Sequence, residues 1–172
     1  MSYNVIAYQV DTQKIKEVWG SNDENLLNHI FTKYKKDIEE QSECFEVSIE
    51  LYKSYLKNII KGEINTPSEN NYIYGYLYEL ICREYGKFIG EECFLSYLSE
   101  VVDDNHLAFI PIPSNQDWPE FHSVLNADLE KTRELFLNNQ EEHAKEDYYI
   151  DEVNLIFNTA TRNKKDLVFF GY

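Results

Sequence analysis

Tyr3-Asn4-Val5-Ile6-Ala7-Tyr8-Gln9-Val10 is a short run of apolar, β-branched and aromatic side chains that stops at Asp11. Such a run, without helical period, reads as a buried strand followed by a helix cap. Its counterpart closes the chain: Leu167-Val168-Phe169-Phe170 has the same character and places Leu167 to Gly171 in the same sheet. Leu107 to Ile112 is the third candidate strand, held to a strand end or edge by Pro111 and Pro113, because proline cannot donate to a sheet ladder. N-terminal, middle and C-terminal strands in a chain otherwise patterned for helices predict an α+β fold, a mostly helical single domain with a small sheet over residues 1–172.

The helical segments follow from spacing and caps. Asp11 caps a short helix with Ile15, Val18 and Trp19 on one side, ended by Gly20. Ser21-Asn22-Asp23-Glu24 reads as a capping box, and the helix after it carries Leu27, Ile30, Phe31, Tyr34 and Ile38. The clearest stripe is Phe45, Ile49, Tyr52, Leu56, Ile59 and Ile60, ending near Gly62; Ile64 to Asn71 is a loop by composition. The segment from Tyr72 alternates at first like a strand, yet Ile73, Leu77, Leu80, Ile81 and Phe88 keep helical spacing, so it reads as helix until Gly90 breaks it. Gly75 inside that helix costs about 1 kcal/mol relative to Ala and marks a close contact. Phe94, Leu95, Leu98, Val101 and Val102 predict a further helix, and Asn115 to Glu120 a surface loop. Asn126 can cap a helix with Leu129, Arg133, Phe136 and Leu137, and Ile150, Val153, Ile156, Phe157 and Ala160 mark the last one.

A chain of 172 residues can bury a sizeable core. Its 43% hydrophobic and 15% aromatic content is too high for a disordered acidic tail, and no apolar run reaches the roughly 18 residues a membrane span needs. The N-terminus lacks the features of a signal peptide, which gives a cytoplasmic expectation. Cys44, Cys82 and Cys93 are odd in number and lack C-x-x-C spacing, so they read as reduced, mostly buried thiols. The net charge of −15 is unevenly placed: residues 91–152 hold 16 acidic and 3 basic side chains, whereas residues 1–65 hold 11 and 8. Concentrated like charge costs self-repulsion and suggests steering of a basic partner.

No constellation carries catalysis. Asp117, Glu120 and His122 could in principle ligate a metal, as could His143 among its acids, but neither has a second His at defined spacing, and a solvated loop is the plainer reading. A nucleophile elbow, a sequence-adjacent Cys–His pair and a glycine-rich phosphate cradle are all lacking. Lys33, Lys35 and Lys36, like Lys53, Lys57 and Lys61, are balanced by neighbouring acids, which disfavours nucleic acid as a partner. The expectation is therefore no catalytic residue, no metal, no cofactor and no membrane or nucleic-acid partner. What remains is acid interleaved with tyrosine, a residue that anchors interfaces at low entropy cost. Of the 14 tyrosines, Tyr74, Tyr78 and Tyr85 fall off the main stripe of their helix and read as half-buried core or as surface anchors. Glu141, Glu142, Glu146, Asp147, Asp151 and Glu152, with Tyr148 and Tyr149 as anchors, form the expected partner-binding surface.

The opening MSYNVIAYQVD, the pair Gly20-Ser21 with Asp23-Glu24 before a second helix, the Tyr74-Gly75-Tyr76-Leu77-Tyr78-Glu79-Leu80 helix and the Pro111-Ile112-Pro113 turn resemble an uncharacterised family of small bacterial cytoplasmic proteins. The resemblance implies a single bacterial cytoplasmic domain and transfers no activity. Charge leads to an inhibitor or immunity-type protein that neutralises a basic partner, above all a nuclease toxin, whose positive cleft an acidic surface can find and occupy. The alternatives are a small enzyme or ligand-binding domain edged by Asp117, Glu120 and His122, or a mimic of nucleic acid; the oligomeric state stays open.

Overall fold

The computed structural model describes residues 5–64, 69–92, 108–113, 119–138 and 147–172, with the backbone alone at 91–92 and 147–149. Strands β1 (Val5–Val10), β2 (Gly86–Glu92), β3 (Glu120–Val124) and β4 (Asp166–Gly171) form an antiparallel sheet in the order β2-β1-β4-β3. The two terminal runs are thus the central pair, in register from Val5 opposite Gly171 to Val10 opposite Asp166. Successive strand residues point to opposite faces. Tyr8, Val10, Val168, Phe170 and Phe121 enter one core, and Val5, Ala7, Leu167, Phe169 and Val124 enter another. Both faces are buried, which is why these strands are apolar at nearly every position instead of alternating.

Helices α1 (Thr12–Val18), α2 (Glu24–Lys33), α3 (Lys35–Cys44), α4 (Ile49–Lys61) and α5 (Tyr72–Tyr85) contribute the first core. Helices α6 (Leu129–Asn138) and α7 (Asp147–Asn163) contribute the second. The α+β class and a sheet drawn from the N-terminal, middle and C-terminal parts of the chain are as the sequence predicts, although the middle strands occupy other residues than Leu107 to Ile112. Asp11 accepts from the Lys14 N–H and caps α1. Ser48 caps α4, which Gly62 closes at φ +69 in the left-handed conformation. Gly75 makes the close contact expected of it: a methyl there would stand 2.9 Å from Pro119 Cγ, just ahead of β3.

Several boundaries move. Asp23, not Ser21, caps α2, accepting from the Asn25 and Leu26 N–H groups. The periodic run beyond it is two helices, interrupted at Tyr34, whose ring lies under the Arg83 guanidinium at 5.0 Å and whose hydroxyl donates to Glu84 at 3.3 Å. Phe45 ends α3 rather than beginning α4, and its ring packs on Tyr72 and Tyr76. Helix α5 stops at Tyr85; Phe88, expected on its stripe, sits in β2 and is 51% exposed. Pairing along β1 supplies backbone partners that outweigh a single coincidence of helical spacing. Gly90 breaks nothing, being part of that strand, where one extra residue separates the Ala7–Gly90 and Tyr8–Phe88 pairs.

Residues 108–112 form no strand. The middle strand is β3, hidden in the sequence because His122 and Ser123, although buried, interrupt its apolar character. Asn126 is not a helix cap; it opens a 3-10 turn (Asn126–Asp128) before α6, donating from its N–H to Asp166 Oδ1 at 2.7 Å and from its amide to the Lys165 carbonyl at 3.3 Å. The helix expected over Phe94 to Val102, and Leu107, lie outside the described residues.

Candidate functional site

Two regions bear on function, one on each side of the sheet. The expected partner surface begins at the start of α7. Asp147, Tyr148 and Tyr149 occupy its first turn, where only their backbone is described; Asp151 is exposed and Glu152 half-buried; Glu141, Glu142 and Glu146 lie outside the described residues. One face of α7 buries Val153, Ile156, Phe157 and Ala160. Glu130 and Glu134 are exposed on α6 and Asp128 is half-buried on the adjoining turn; Arg133 ties α6 to α7 through Asn154 at 2.7 Å. Arg133 also pairs with Glu130, but among the described residues Asp128, Glu134, Asp151 and Glu152 have no ion-pair partner.

On the other helical layer part of the charge is paired. Arg83 pairs with Asp37 at 2.6 Å, Lys33 with Glu84 at 2.7 Å, Lys36 with Glu40 at 3.2 Å and Lys35 with Glu39 at 3.4 Å. Glu84 is held below the usual carboxylate range: burial works against ionisation, and the bonds from Lys33 and His29 outweigh it. Tyr74 and Tyr78 are core residues, 3% and 0% exposed, their hydroxyls accepting from the Asn58 amide and the Phe109 N–H. Tyr85 is half-buried. Cys82 is fully buried and burial pushes its thiol up, whereas Cys44 is exposed against expectation; Cys93 lies outside the described residues. Asp117 and His143 do too, Glu120 is half-buried, and His122 is 8% exposed on β3, so it is not a loop residue. No cluster of three metal-ligating side chains occurs among the described residues.

The second region is a cavity of about 50 Å³ between α3, α4 and α5. Tyr76, Glu79, Leu80 and Arg83 line it at helical spacing on α5, facing Asp37, Ile38 and Gln41 of α3 and Tyr52 of α4. Glu79 is 9% exposed and accepts from the Tyr8 hydroxyl at 2.7 Å and from the Tyr172 hydroxyl. Strand β1 and the final residue therefore meet on one carboxylate of α5. Burial first, and then the Glu79 charge, raise both hydroxyls well above the ordinary tyrosine value, which keeps them donors. Burial also pushes Tyr76 up to about 12 and raises Tyr52. No described cation stands within ion-pair distance of Glu79, and the Arg83 guanidinium is engaged by Asp37. The Tyr52 hydroxyl and Gln41 Oε1 are buried without a hydrogen-bond partner, a cost that most native polar groups avoid.

Sequence reading passed over this cavity. One signal was available: Glu79 is a lone carboxylate in Ile73 to Cys82, a helical stretch otherwise free of charge and buried on every side. Such a group needs dedicated donors. Nothing in spacing says that Tyr8 and Tyr172 supply them.

Among the described residues no helix is long and apolar enough to cross a membrane. No curated protein and no solved structure matches the chain. A family model described as a domain of unknown function, DUF7691, matches residues 1–172, and the chain belongs to that family.

Proposed function

We propose that this is an inhibitor or immunity-type protein that binds and neutralises a basic protein partner in the cytoplasm. A nuclease toxin is the class whose positive cleft best suits an acidic binder. The supporting observation is the segregation of charge: 16 acidic against 3 basic residues over 91–152, with the exposed Glu134 and Asp151 and the half-buried Asp128 of the α6–α7 layer lacking an ion-pair partner among the described residues. Glu141, Glu142, Glu146, Asp147, Asp151 and Glu152 steer the encounter, and Tyr148 and Tyr149 anchor the complex.

The test is association kinetics against a basic binding protein purified from the cell of origin. The association rate should fall by about tenfold or more between low and physiological salt, as the Debye length shortens to about 8 Å. Reversing Glu146, Asp147 and Asp151 together should slow association, and Tyr148→Ala should mainly speed dissociation. Salt-independent association that the triple reversal leaves unchanged would refute the steering role.

A further inference from the structure

We propose that the cavity between α3, α4 and α5 binds the head of a primary ammonium ion, carried by a small alkylamine or a lysine side chain. Three observations meet there. The Tyr52 hydroxyl, on a side chain 1% exposed, and Gln41 Oε1 are buried and unpartnered, and both residues line the cavity. Glu79 lines it as well, carrying a charge that two tyrosine hydroxyls solvate and no described cation within ion-pair distance cancels. The one positive group in the lining, Arg83, bonds to Asp37 at 2.6 Å, lies over the Tyr34 ring and acts on Glu79 only through space.

The wall thus presents two carboxylates against one guanidinium, together with an orphan amide oxygen and a neutral hydroxyl oxygen. An anion meets repulsion. Water can satisfy Tyr52 and Gln41 but brings no positive charge to a wall in which one guanidinium, Arg83, faces both Asp37 and Glu79. An ammonium brings three N–H donors and one positive charge, which answers all three demands at once. About 50 Å³ admits only a few non-hydrogen atoms, so the site takes the head group and no more. A quaternary ammonium lacks the donors. The cavity lies on the α1–α5 side of the sheet, so its fate is independent of the acidic surface on α6 and α7.

The experiment titrates the 15N-labelled full chain with ethylammonium chloride at constant ionic strength, following the Gln41 side-chain amide and the backbone amides of α3 and α5 by NMR. Ethanol and sodium acetate serve as controls. A saturable shift confined to these groups is expected with ethylammonium alone, about tenfold weaker in Tyr52→Phe and in Gln41→Leu, each of which removes one orphan group and should leave the fold intact. Nα-acetyl-lysine methylamide binding more tightly than ethylammonium assigns the site to protein lysine, and equal or weaker binding assigns it to small amines. Shifts as large with ethanol would mean that water fills a polar void. That result, the absence of saturation, or variants that bind like the unmodified chain would overturn the proposal.

Discussion

A methyl group at residue 75 would stand 2.9 Å from Pro119 Cγ and 3.0 Å from its Cδ, and a pyrrolidine ring cannot swing aside as a long side chain can. Helix propensity alone favours Gly75→Ala by about 1 kcal/mol, while overpacking costs about 1–3 kcal/mol, so a net loss of stability is expected in urea unfolding. Adding Pro119→Ala should recover most of it; a double-mutant cycle without coupling would show that the contact is not the cause. His122 carries a different lesson. Read as a loop residue, it would tolerate Ala as ordinary surface positions do, but it is buried on β3 opposite Phe169. Its replacement by Ala is expected to cost about 1–3 kcal/mol, measurable from the urea midpoint. Gly75 announced itself by violating helix propensity, whereas nothing local distinguishes His122 from a solvated histidine.

At the scale of elements, β4 contributes to both cores, as β1 and β3 do. Leu167 and Phe169 fill one face while Val168 and Phe170 fill the other, all fully buried, and β1 and β3 flank the strand. Each such side chain is worth about 1.5–3 kcal/mol on burial, so together they match the 5–15 kcal/mol stability typical of a whole domain. Truncation after Lys165 is therefore expected to abolish cooperative unfolding and near-UV circular dichroism; a truncated chain with a sharp transition would contradict this placement. The terminal strands were legible because burial on both faces writes a continuous apolar run into the chain. Strands β2 and β3 lie at the sheet edges; β2 carries glycine and charge and is partly exposed, and β3 sets the buried but polar His122 and Ser123 between apolar residues, so neither writes a continuous apolar run.

Across the whole molecule the tyrosines dominate the response to pH. Tyr8, Tyr34, Tyr52, Tyr72, Tyr74, Tyr76, Tyr78, Tyr85 and Tyr172 all have hydroxyls raised above the ordinary value of 10.0, each chiefly by burial. A raised folded-state pKa means that the native protein holds its protons more tightly than the unfolded chain. This contribution is complete below pH 10 and is lost as pH climbs through the folded-state values. The urea midpoint should fall steadily above pH 10, and tyrosinate absorbance should rise in one step with loss of near-UV circular dichroism. Gradual ionisation of these nine near pH 10 with native dichroism retained would contradict it.

The sequence by itself determined the class of fold, the positions of most helices and the two terminal strands, because a buried face imposes its period on neighbouring residues and caps act over three or four positions. It also carried the segregation of charge, a property of composition. Only the tertiary structure decided that the sheet is covered on both faces, that β2 continues where helical spacing pointed to more helix, and that Tyr8 and Tyr172 converge on Glu79. Those contacts join residues as many as 93 positions apart. They exist because packing brings distant side chains together, and no local pattern of residue types records which donor will meet which carboxylate.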